Sequence, residues 1–179
     1  GSHVVRLFVN KYPEYNIINL DKPYFLCEYA HAMGVGPGSL EEYWDAFYSS
    51  DKYMGGCIWE WVDHAATTYN KNLKYTYGGD HGERIHDSNF CVDGLIYPDR
   101  TPHTGAWEMK EAYRPIRIRH YEANEFFFRN TNYFTNADVY SFTWNLLENG
   151  EIKESGNLAV DIAPNSEKRV ILPIKTKML

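Results

Sequence analysis

No apolar stretch in this chain approaches the ~18 residues that a membrane-crossing helix needs, so no transmembrane helix is expected. Cysteine is scarce. Cys27, Cys57 and Cys91 are an odd number without C-x-x-C spacing, each inside an apolar run, which reads as three buried, reduced thiols and argues for a reducing compartment. Basic excess is lacking too: a net charge of -6 leaves no electrostatic footprint for nucleic acid or an anionic membrane, and points instead to neutral molecules or protein as partners. Gly1-Ser2-His3 reads as the remnant of an expression tag, so residues 1–3 are set apart from fold reasoning. What is abundant is aromatic: 15 Tyr and 5 Trp within a 16% aromatic share suit a surface that stacks on sugar rings, but aromatics more often fill cores, and composition alone favours that reading.

The apolar run Tyr24-Phe25-Leu26-Cys27 reads as a short buried strand. It leads into Glu28-Tyr29-Ala30-His31-Ala32-Met33-Gly34 and then the turn Gly36-Pro37-Gly38. A polar residue at the C-terminal end of such a strand is where (β/α) barrels carry catalytic side chains, which makes Glu28 the first candidate nucleophile. Next comes Ser39 to Tyr48, a predicted helix: Ser39 and Glu42 have capping-box spacing, and Leu40, Tyr43, Trp44 and Phe47 fall on one face. Met54 to His64 repeats the pattern of a glycine-led apolar run ending in aromatic and acidic groups. The order strand, helix, strand predicts two parallel strands.

Residues 65–89 are polar and rich in Tyr, Asn, Gly, Asp and His, the composition of a long ordered loop system. A second helix is expected over Thr104 to Tyr113, ended by Pro115. From Ile116 the pattern turns to period two, with antiparallel strands over 116–121, 126–128 and 139–147; Asn149-Gly150 is a hairpin turn, and Asn124 and residues 130–136 supply further turns.

The motifs over Lys22 to Asp63, then Tyr77-Gly78-Gly79-Asp80, Phe90 to Ile96 and Asp99-Arg100-Thr101-Pro102-His103 together resemble the β-galactosidases of glycoside hydrolase family 2. The resemblance weakens beyond about Pro115. It implies an α/β plus all-β fold class: the C-terminal part of a (β/α)8 TIM barrel over residues 4–115, followed by a partial immunoglobulin-like β-sandwich over 116–179. Glu28 would end the seventh barrel strand and Trp59 the eighth. A whole barrel takes about 200 residues or more and such a sandwich ~100, so both domains are expected to be incomplete in 179 residues.

The activity implied is hydrolysis of terminal non-reducing β-D-galactose residues with retention, galactose being the glycone that the His31 and Phe90-to-His103 patterns fit. Retaining glycosidases use two carboxyl groups, a nucleophile and an acid/base. The resemblance gives Glu28 the nucleophile role and puts the acid/base before this chain, so the chain alone is expected to be inactive. It makes His31 and Trp59 substrate-binding, the imidazole bonding hydroxyls and the indole forming a wall against the sugar. Tyr29 and Trp61 are expected to pack. Glu60 and Asp63 are set aside as the missing acid, since Glu60 follows Trp59 and would project to the other side of a strand; ion-pairing or loop anchoring is expected for both, as for Asp80 and for Asp99 with Arg100.

Family members hold magnesium and sodium, most ligands lying upstream. Phe90 and Asp93 match a sodium-binding segment, although Asp93 stands where asparagine is usual; Val35 likewise replaces a common asparagine. His81, His86 and Asp87 read as loop polarity rather than metal ligands. The implied partners are a lactose-like β-galactoside and further copies in a homo-oligomeric parent, in the cytoplasm. A non-catalytic carbohydrate- or protein-binding module is the alternative.

Overall fold

The computed structural model describes residues 22–67 and 75–176. Residues 1–3, expected as a tag remnant, and part of the loop system after Ala65 lie outside the described residues. Two compact units divide the chain between Tyr113 and Arg114.

In the first unit, β1 (Tyr24–Tyr29) and β2 (Tyr53–Ile58) form a parallel pair joined through helix α1 (Leu40–Phe47), as the order of motifs predicts. Tyr29, Leu40 and Phe47 pack with Ala112 of α2 (Thr104–Ala112), and Leu26, Tyr43, Trp44, Ile58 and Met109 extend this core. Much of the aromatic content is spent here: the Tyr29 and Tyr43 rings lie 4.7 Å apart, as do those of Trp44 and Tyr113. Tyr29 packs as expected, but Trp61 is exposed, because the chain has left the strand pair by that point.

The capping box is not formed. Ser39 has a left-handed backbone (φ 57) and its side chain makes no cap; the first helical N–H, of Leu40, instead donates to Glu108 Oε1 of α2 at 3.0 Å. A carboxylate at a helix N-terminus satisfies one of its free donors and meets the positive end of its dipole. The loop after Ala65 carries a small antiparallel ribbon, β3 (Ala66–Thr67) with β4 (Tyr75–Thr76).

The thiols are not buried. Cys27 and Cys57 are exposed and Cys91 is partly exposed. On β1 side chains alternate, so the face opposite Leu26 carries Phe25 and Cys27, and nothing among the described residues covers it.

In the second unit, β5 (Ile116–Glu122), β6 (Glu125–Asn130) and β9 (Ser166–Ile171) make an antiparallel sheet, and β7 (Phe142–Glu148) with β8 (Glu151–Leu158) a second. Ile116, Phe128, Ala137, Val160 and Ile162 form a shared core, with Phe142 and Leu158 against it. The hairpin between β7 and β8 turns on Asn149 and Gly150 (φ 53 and 84), the positive pair of a type I′ turn. The strand expected from Val139 begins only at Phe142. Before it, Asn136 accepts the N–H of Asp138 and starts a 3₁₀ turn over Ala137–Val139, which drops Ala137 into the core.

Candidate active site

Beyond the ends of β1 and β2 the backbones stay joined: Trp59 N–H donates to Tyr29 O at 3.2 Å, and Ala32 N–H to Trp59 O at 2.7 Å. Residues 28–32 and 59 are thereby held side by side. A third segment closes on them. Asp93 O accepts Glu60 N–H (2.9 Å), Glu60 O accepts Leu95 N–H (2.9 Å), and Ile96 O accepts Asp63 N–H (2.9 Å). Gly94 sits so close that a Cβ would lie 2.1 Å from Asp63 N, so only glycine fits there.

These three segments gather the candidate residues. Glu28 Oε1 lies 3.5 Å from His31 Nδ1, with the glutamate side chain 52% exposed. His31 Nε2 faces Asp93 Oδ2 at 3.4 Å without a hydrogen bond between them. The same Asp93 oxygen accepts the indole N–H of Trp59 at 3.0 Å. The Phe90 ring lies 6.0 Å from the His31 imidazole. Glu28, His31, Trp59, Phe90 and Asp93, drawn from three stretches of sequence, therefore occupy one place.

Around this line runs a network of carboxylates. Burial, then the neighbouring Asp93 carboxyl, pushes the Glu60 carboxyl above its usual range, opposed by His64, whose Nε2 is 3.2 Å from Glu60 Oε2. Trp59 and Glu60 thus both reach Asp93. The expectation that Glu60 points away fails because β2 ends at Ile58 and strand alternation does not extend to residue 60. Asp63 accepts Gly94 N–H (2.8 Å) on one oxygen and meets His103 Nε2 (2.7 Å) with the other; the His103 ring stacks on Tyr97. Glu60 and Asp63 are anchors, as is Asp80, which accepts Tyr77 N–H, and Asp99, which accepts from Thr101. His81 pairs with Thr76 Oγ1 at 2.8 Å and His86 Nδ1 accepts Ser88 N–H, so both histidines serve the loop.

Asp93 is only 3% exposed, and its role was not legible as a link between His31 and Trp59, residues far from it in the chain. One of its oxygens is engaged by the indole and faces His31, and the other is buried with no hydrogen-bond partner among the described residues, an oxygen of the kind that the resemblance gives to a sodium ion beside Phe90. Among the described residues no group of three or more His, Cys, Asp and Glu is arranged to hold a metal ion.

Two family models match the chain: glycosyl hydrolases family 2, TIM barrel domain, over residues 3–118, and beta-galactosidase, domain 4, over residues 126–178. Among curated proteins, a beta-galactosidase of Actinobacillus pleuropneumoniae is 45% identical over 155 residues, covering 86% of this chain and 15% of that protein. One of Staphylococcus xylosus is 47% identical over 126 residues (69% and 13%), and one of Pseudoalteromonas haloplanktis 38% over 171 residues (87% and 16%). The chain therefore spans only 13% to 16% of the length of these relatives. With the barrel-domain model running through β1, β2 and every residue of the cluster at Glu28, this chain belongs to glycosyl hydrolase family 2.

Proposed function

We propose that the parent protein hydrolyses terminal β-D-galactosides with retention, and that Glu28 is its nucleophile. The observation that carries this reading is the line Glu28, His31, Asp93, Trp59 at the ends of two parallel strands, where barrels keep their chemistry. An ionised Glu28 attacks the anomeric carbon and displaces the aglycone; water then hydrolyses the glycosyl-enzyme. His31, beside that carboxylate, bonds sugar hydroxyls, and the 43% exposed Trp59 offers its ring as a wall for the sugar's C–H face.

The family resemblance puts the acid/base elsewhere in the parent. Glu60 lies against His64, and Asp63 holds Gly94 N–H and His103, which supports anchoring roles for both. Without it the chain alone is inactive, since a general acid/base contributes about 10² to 10⁴ in rate. The remaining architecture is read the same way. The first unit is the C-terminal portion of a barrel, supported by the parallel strand-helix-strand. The second begins an immunoglobulin-like sandwich, supported by two antiparallel sheets on one core. We assign the parent to the cytoplasm as a homo-oligomer.

A 2-fluoro-galactoside probe offered to the parent enzyme tests the central assignment. Peptide mass analysis is expected to find the label on Glu28, and Glu28→Gln to abolish both labelling and turnover, by roughly 10⁴-fold or more on the scale of nucleophile deletions. Label on another side chain defeats the reading. The exposed Trp59, Trp61 and Phe90 also favour a second reading, a non-catalytic sugar- or protein-binding surface. Saturable lactose binding by a parent that never cleaves it would select that one.

A further inference from the structure

We propose that Asp93 is a positioning residue that fixes the plane of the Trp59 indole beside Glu28. This rests on the reading of Trp59 as the sugar wall. The backbone of Trp59 is held on both sides, by Tyr29 O and by Ala32 N–H, but backbone bonds leave the indole free to rotate about its own side-chain torsions. Its N–H bond to Asp93 Oδ2 removes that freedom.

Asp93 is suited to the task because it cannot itself move. Its carbonyl holds Glu60 N–H, the next residue is glycine pressed against Asp63, and that glycine's N–H is gripped by the Asp63 carboxylate. A rigid, 3% exposed carboxylate thus anchors an indole that is 43% exposed. The same oxygen faces His31, so wall and imidazole are set from one point. Fixing both before substrate arrives lowers the ordering cost of binding.

The five tryptophans make the test direct. In the ¹⁵N spectrum of the chain, Trp59→Phe identifies the Trp59 indole resonance. Asp93→Ala is expected to move that resonance toward the position of a water-exposed indole while the other four stay in place, and Asp93→Asn, which keeps an oxygen acceptor, to hold it near its original position. Should Asp93→Ala fail to fold, the near-isosteric Asp93→Leu reads the same contact. In the parent enzyme, Asp93→Leu is expected to raise KM for nitrophenyl galactoside about tenfold with a smaller fall in kcat, and to add less than twofold once Trp59 is already Phe.

An indole resonance unmoved by both Asp93→Ala and Asp93→Leu overturns the proposal, as do additive kinetic effects. So does a wild-type resonance that shifts with sodium chloride but not choline chloride, since the carboxylate would then serve a cation. A parent that cleaves no galactoside would sink the proposed activity, yet the indole measurement would still decide the contact.

Discussion

Glu83 is a fully exposed carboxylate whose behaviour is set chiefly by backbone hydrogen bonds. It accepts Gly79 N–H at 2.6 Å and His81 N–H at 3.1 Å, and these, Gly79 first, hold its carboxyl below the usual range. The bonds favour the ionised form, so the order they lend this loop is present above the ordinary carboxylate value and is lost as pH falls through the lowered, folded one. Acidification is expected to shift the amide protons of Gly79 and His81 together, and Glu83→Gln to abolish that titration; amides that titrate unchanged in the variant would assign the shift to another group. The thiols supply a second single-residue outcome. Native chain treated with a disulfide reagent is expected to lose Cys27 and Cys57 quickly and Cys91 slowly, because Cys91 is less exposed and burial pushes its thiol up. Three equally protected thiols would restore the buried reading that their apolar neighbours predict. That reading failed for a physical reason: an apolar run tells which residues can be buried, but the cover must come from somewhere. The candidate site was legible as residue types, since Glu28, His31, Trp59, Phe90 and Asp93 do converge. Its wiring was not, because the partner of Asp93 depends on a third segment folding back onto the strand ends.

At the scale of elements, local signals held where the structure they specify is itself local. Asn149-Gly150 makes its turn with two positive φ values, and the apolar face of α1 packs as its spacing predicts. The cap of α1 shows the limit. Ser39 and Glu42 have the right spacing, yet the left-handed backbone of Ser39 turns its side chain away and Glu108, 68 residues on, takes the Leu40 N–H. Substituting Glu108 with Ala is therefore expected to cost about 1 kcal/mol in denaturant unfolding, the typical worth of a helix cap, while Ser39→Ala costs a few tenths at most. The reverse ranking would mean that the capping box forms in solution. Leu40 itself is wholly buried between Tyr29, Phe47 and Ala112, so Leu40→Ala should cost about 2 to 5 kcal/mol, through lost burial and the cavity left behind.

For the molecule as a whole, the decisive quantity is the apolar surface that its two parallel strands leave in water. Among the described residues β1 and β2 pair only with each other, so each presents an unpaired edge, while Phe25 is 48% and Met54 67% exposed beside the open thiols of Cys27 and Cys57. Parallel strands are ordinarily buried on both faces, and here helices α1 and α2 supply one. A net charge of -6 keeps such molecules apart only weakly at physiological salt, where repulsion is screened within about 8 Å. Apolar face and open edges together drive association. The purified chain is accordingly expected to sediment as concentration-dependent oligomers under reducing conditions, which removes intermolecular disulfides as a cause. Phe25→Ser with Met54→Ser should shift the distribution toward monomer without loss of helical circular dichroism, because neither residue belongs to the core around Leu40. A single monomer boundary for the unmodified chain at tens of micromolar would mean that this face is covered by residues other than the described ones, and the parallel pair would then be no open edge at all.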